Sequence, residues 1–217
     1  VNECSIIGSG GSTPLESCQA VWGGSSNSTS ALIFQNGSLL PNGQTYSGQD
    51  DTTIEQATPT TNLGAEVTLT SKGGSNRRHV LMRWDLSSVY ELTTVQHACM
   101  VLNVADPSGS SYPAYEVYGS WYEMQATWNL ENSRSAWEVP GAWGVNDAGS
   151  TPVAAIPANA SGRVYIKLDP VMVQHWVNFN GTNHGIIIGN NSSYNGVSVW
   201  SGEAPAASNR PMLVLGL

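Results

Sequence analysis

Apolar residues in this chain recur with a period of two, in short runs separated by Gly, Pro and Asn, and that rhythm fits little besides antiparallel β-sheet. Val80, Met82 and Trp84 alternate with His79, Leu81, Arg83 and Asp85. Ala98, Met100, Leu102 and Val104 alternate with His97, Cys99 and Asn103. Successive side chains on a strand point to opposite faces, so each set marks one face. Further strands are read at 52–57 and 65–70, around a Pro59/Asn62/Gly64 loop, then at Tyr115 and Val117 and at 163–168. Gly185-Ile186-Ile187-Ile188-Gly189 predicts a buried strand, and Val197-Ser198-Val199-Trp200 and 212–215 close the series. One helix is expected: Asp169 caps it, Pro170 takes its first turn, Val173, Trp176 and Val177 line one face, and Asn180-Gly181 ends it. The stretch 129–160 reads as one long loop with Trp137, Pro140 and Trp143, and long loops often carry function.

Residues 1–49 differ from the rest. They are rich in Gly, Ser and Asn, and Ala31-Leu32-Ile33-Phe34 is their one clear apolar run. Such a segment cannot build a core alone. It is expected either to add a strand to the sandwich edge or to dock as an arm on a neighbouring subunit. The division expected is therefore an extension at 1–49 and a main domain at 50–217.

Only 11% of residues are charged, and the net charge is −8. An acidic chain repels a phosphate backbone, so nucleic-acid binding is excluded as a general function. No apolar run reaches the ~20 residues of a membrane helix. A start at Val1 rather than Met is expected of a processed, mature form. Of three cysteines, Cys4 and Cys18 enclose a short Gly/Ser/Pro loop, which predicts a disulfide worth ~3 kcal/mol in an oxidising compartment. Cys99 then reads as a semi-buried free thiol, the alternatives being a bond to a terminal cysteine or to another chain. N-glycosylation sequons fall at Asn27, Asn36, Asn159, Asn180, Asn190 and Asn191, which leans towards a secreted protein.

Several phrases occur in a fixed order: Thr60-Thr61-Asn62-Leu63-Gly64, then Asn76-Arg77-Arg78-His79-Val80-Leu81-Met82-Arg83-Trp84-Asp85-Leu86-Ser87. After them come Gly119-Ser120-Trp121-Tyr122-Glu123 with Thr127-Trp128-Asn129, the capped helix with Trp176, Asn183-His184-Gly185, Ser201-Gly202-Glu203, and Arg210-Pro211-Met212-Leu213-Val214. Together they resemble the DNRLRE-type domain, which is similar to carbohydrate-binding module family 96. The resemblance covers residues 50–217. It implies an all-β, jelly-roll-like antiparallel β-sandwich, here with one short helix and the N-terminal extension. It also implies a binding role, in some members towards acidic polysaccharides, rather than turnover.

Sugar binding needs aromatic faces for sugar C–H surfaces and polar groups around them. In the family pattern Trp84, Trp121, Trp128 and Trp176 occupy core-type positions. Trp137 and Trp143 in the long loop, and Tyr112 in a Ser/Pro turn, are the aromatic candidates. Lys72, Arg77, Arg78 and Arg83 cluster in an otherwise acidic chain. They either offer forks to uronate carboxylates or pair with Asp50, Asp51, Glu55 or Asp85. No zinc spacing and no pair of catalytic groups is selected by the sequence. No cofactor is expected beyond a structural calcium ion, for which Asp50, Asp51 and Glu55 are the nearest acidic cluster.

The expectation is a secreted, non-catalytic module that binds extracellular polysaccharide, acidic chains included. The alternative is a structural subunit of a filament, surface layer or virion that contacts identical subunits through residues 1–49. A polysaccharide lyase is the minor third reading.

Overall fold

The computed structural model describes residues 13–22, 30–90 and 93–217. In chain order its elements are α1 (Pro14–Trp22), β1 (Ala31–Phe34), β2 (Gln49–Glu55), β3 (Thr68–Ser71), β4 (Arg78–Trp84), β5 (His97–Asp106) and β6 (Tyr112–Glu116). They continue with β7 (Leu130–Asn132), β8 (Ser135–Ala136), β9 (Ala154–Ile156), β10 (Gly162–Leu168), α2 (Pro170–Asn178), β11 (Ile186–Ile188), β12 (Val197–Trp200) and β13 (Met212–Gly216).

Two antiparallel sheets form a β-sandwich. In the first, β10 runs along one edge of β5; β13 and β12 share the other edge, extended by β1 and β3 respectively. The second has the order β2-β4-β11-β6-β9. The alternation read from the sequence holds. Ala98, Met100, Leu102 and Val104 of β5 meet Val80, Met82 and Trp84 of β4 in the central core, with Ile186 and Ile188 of β11. The cap read for α2 also holds: Asp169 accepts from the Val171 N–H at 2.9 Å, and Val173, Trp176 and Val177 close one end of the core.

Both sheets are covered on their outer faces as well. Leu81, Ile187 and Ile54 point away from the central core into a second cluster with Trp121, Trp128 and Trp137. That explains the unbroken Ile186-Ile187-Ile188 run: a strand buried on both faces has no polar side to alternate with. On the other sheet, Cys99, Val101, Met212 and Val214 form a third cluster beneath Cys18 and Trp22 of α1.

The helix α1 corrects the expectation of a single helix. Thr13 and Glu16 form a reciprocal cap, with the Thr13 N–H donating to Glu16 Oε2 at 2.7 Å and the Glu16 N–H to Thr13 Oγ1 at 3.3 Å. Pro14 follows as the first helical residue. The described parts of the segment thus pack on the rest of the chain, α1 on the outer face and β1 against β13 at the sheet edge.

The disulfide expectation is corrected too. Cys18 bonds Cys99, not Cys4, so Cys99 is not a free thiol. Strand alternation turns Cys99 outward, α1 lies across it, and the Cα atoms stand 5.8 Å apart, inside the bridgeable range. Cys4 lies outside the described residues. Trp22 stacks on His97 beside the bond, with ring centres 4.9 Å apart.

This pairing closes a loop across a sequence separation of 81 residues. Replacing both Cys18 and Cys99 by Ser should lower the unfolding free energy by about 4 kcal/mol, read by urea titration. Non-reducing peptide mapping of the native chain should recover the Cys18 and Cys99 peptides joined; a Cys4–Cys18 peptide would contradict the fold at α1.

Candidate functional site

Strand phase decides which tyrosine of β6 faces solvent. Tyr112 points inward and is fully buried, its hydroxyl donating to Asn195 O at 2.5 Å. Tyr115 takes the opposite face, where it packs against the second cluster. There it meets Trp143 edge-on, with centroids 5.3 Å apart at 75°. Tyr118, half exposed, stands beyond it. These three aromatics, with Gly144, Val145, Ala148, Gly149 and Ser150, line a cleft of about 390 Å³. No Lys, Arg, Asp or Glu is among those lining residues.

The far wall of the cleft belongs to the stretch read as a long loop, and it is firmly built. The buried Asp147 carboxylate accepts three backbone N–H bonds, from Glu138 (2.8 Å), Val139 (2.9 Å) and Gly144 (2.9 Å). Its carbonyl accepts the Tyr118 N–H at 2.8 Å, which fastens the two walls together. Trp137 Nε1 donates to Thr127 O at 3.0 Å. Gly141 and Ala142 both adopt left-handed backbone, at φ 93° and 59°. A side chain at Gly141 would strike the Trp128 ring at 2.7 Å. Ala142 has no such exemption, and its conformation costs roughly 1–2 kcal/mol against the surrounding packing.

His79 anchors this wall from below. Its ring lies 4.6 Å from that of Trp143 and 5.1 Å from that of Trp128. Nδ1 donates to Gly141 O at 2.8 Å, and Nε2 stands 2.9 Å from the Asn191 side-chain amide. Burial holds the imidazole below its ordinary pKa, although both hydrogen bonds favour the charged form.

The residues singled out from the sequence separate. Trp143 lines the cleft, but Trp137 (4% exposed) and Tyr112 (0%) are buried and present no face to a ligand. Arg78 pairs with Glu55 and Arg83 with Asp50, each between neighbouring strands β2 and β4. Arg83 also lies 5.2 Å over the Trp121 ring. Of the basic cluster, Arg77 is exposed and Lys72 half-buried. The two arginines thus take up the acidic partners Asp50 and Glu55. Asp51 turns elsewhere, to Glu123 and Glu203. Asn159 and Asn180 are exposed; Asn36, Asn190 and Asn191 are half-buried, with side-chain amides engaged by Gln49, Ser111 and His79; Asn27 lies outside the described residues. Tyr118 was not marked by the sequence. The phase of β6 sends Tyr112 inward and Tyr115 outward, but Tyr118 lies beyond the strand's last residue, Glu116, where that alternation no longer applies.

The family model for carbohydrate-binding module family 96 matches residues 42–216. No curated protein matches the chain. Among the described residues, no helix is long and apolar enough to cross a membrane.

A histidine kept neutral by burial gives folding a defined pH signature. Below about pH 6.5 the unfolded chain binds a proton at His79 that the folded chain refuses, so the unfolded state gains. The stability difference between the native chain and His79→Gln should be flat above pH 7. It should then shift against the native chain by up to about 1.4 kcal/mol per pH unit below 6.5, read by denaturant titration at each pH.

Proposed function

The chain belongs to carbohydrate-binding module family 96, and on that premise we propose that it holds a neutral polysaccharide chain in the cleft of Tyr115, Tyr118 and Trp143. The observation that carries the reading is the pairing of one exposed and two half-buried aromatic rings with an uncharged lining. Pyranose rings present C–H surfaces that pack on aromatic faces, and their hydroxyls are met by backbone groups and Ser150 at the rim. A floor fixed by Asp147 and His79 limits the ordering needed on binding, which favours affinity. The role is binding without turnover, in line with the family. The Cys18–Cys99 bond fits an extracellular, oxidising setting.

An acidic polysaccharide is the competing ligand. Its attraction rests on Lys72 and Arg77, because Arg78 and Arg83 already hold carboxylates. With a net charge of −8 on the chain, two cations offer a polyanion little long-range attraction.

The test is affinity electrophoresis and calorimetry against xylan, galactomannan, hydroxyethylcellulose and polygalacturonate. A neutral polymer should retard the chain, and Tyr118→Ala should weaken that binding about tenfold, roughly 1.4 kcal/mol, with unchanged thermal stability. The double variant Lys72→Ala/Arg77→Ala should bind as the native chain does. Retention by polygalacturonate alone, lost in the double variant, would replace this reading with the acidic one.

A further inference from the structure

Away from the cleft, three acidic side chains converge from distant parts of the chain. Asp51 comes from β2, Glu123 from the segment after Trp121, and Glu203 from the turn after β12; their nearest carboxylate oxygens all lie within 4.8 Å of one another. Neither of the two ion pairs among the described residues reaches them, and the nearby Arg83 is held by Asp50. Some of the acceptor capacity is met. The Gly202 N–H donates to Asp51 Oδ2 at 2.8 Å, Gln49 Nε2 donates to the same oxygen at 2.5 Å, and the Asp51 N–H donates to Glu123 Oε1 at 2.8 Å.

Three oxygens remain buried with no donor: Asp51 Oδ1, Glu203 Oε2 and Gln49 Oε1. Asp51 is 1% exposed and Gln49 3%, so water does not reach these side chains from outside. Gln49 is not an acid, and its amide is packed directly on Asp51, yet its oxygen is unpaired. A buried polar oxygen without a donor is costly, and a cation held among these oxygens would relieve all of them at once. Burial, reinforced by the charge of Glu203, holds the Asp51 carboxyl well above its usual range; burial likewise lifts Glu123 to about 7.

We propose that Asp51, Glu123 and Glu203, with the side-chain oxygen of Gln49, form a calcium-binding site. All the donors are hard oxygens, which select calcium or magnesium over zinc or copper. Ligand distances of about 2.3–2.6 Å place oxygens on opposite sides of a calcium ion roughly 5 Å apart, which matches the spread seen. Magnesium demands a regular octahedron at about 2.0–2.1 Å and suits this uneven set less well. The ion would tie β2 of the second sheet to the turn leaving β12 of the first, and both to the segment that carries Trp121. The assignment is independent of the aromatic cleft.

The experiment is thermal unfolding and calorimetry of the full chain after EGTA treatment, with CaCl2 or MgCl2 restored. Calcium at a hundredfold excess over its Kd should raise Tm by roughly 5–10 °C, with a saturable one-site heat. Glu203→Gln removes one repelling charge. Its metal-free Tm should be no lower than that of the native chain, and its calcium response should be lost. No Tm shift and no heat with either ion would overturn the site, as would a full calcium response in Glu203→Gln. An equal response to magnesium would overturn the choice of calcium.

Discussion

The burial of β4 and β11 on both faces is the constraint from which the rest of the architecture follows. Leu81 and Ile187 point away from the central core and are 0% exposed, so the second sheet needs a cover of its own. Burying such a side chain is worth roughly 1.5–3 kcal/mol, and leaving a sheet face of them in water would forfeit that several times over. The cover is the segment between β6 and β9, which supplies Trp121, Trp128 and Trp137 as apolar bulk. Trp121 and Trp128 take the core positions that the family pattern implies, and Trp137, which looked available to a ligand, is consumed with them. The cleft lies where the cover ends, and Tyr115, Tyr118 and Trp143 are the aromatics left facing out.

Charge is arranged with the same economy. Few groups are charged, and the strand pair β2–β4 uses the register Asp50↔Arg83 and Glu55↔Arg78 to neutralise four of them side by side. The aromatic cleft, lined by other segments, carries no charged side chain among its lining residues. Three of the carboxylates without such a partner, Asp51, Glu123 and Glu203, converge, and burial magnifies their mutual repulsion. A cation there would supply the counter-charge that no basic side chain among the described residues provides.

The sandwich was legible because its signals are local: alternation in β4 and β5, the Asp169-Pro170 cap, and the Ile186–Ile188 run each name their own structure. The same kind of signal marked α1, since Thr13-Pro14-Leu15-Glu16 has the form of a reciprocal cap, but the Gly/Ser setting hid it, and the disulfide was misassigned with it. What the sequence could not show were meetings across distance. Cys18 and Cys99, His79 and Asn191, and Asp51 with Glu203 are joined only by the sheet order. The aromatic site was half legible: Trp143 was found, Tyr112 and Trp137 were taken by the core, and Tyr118 emerges only once Asp147 brings the opposite wall to it.

The most direct test of the aromatic cleft is a ¹⁵N-resolved NMR titration of the intact chain with an oligosaccharide cut from whichever neutral polymer binds. The account predicts that the Trp143 indole N–H and the amides of Tyr118, Gly144 and Gly149 shift together and saturably, while Lys72 and Arg77 stay in place. Shifts centred on residues 72–78, with the Trp143 indole unmoved, would contradict it.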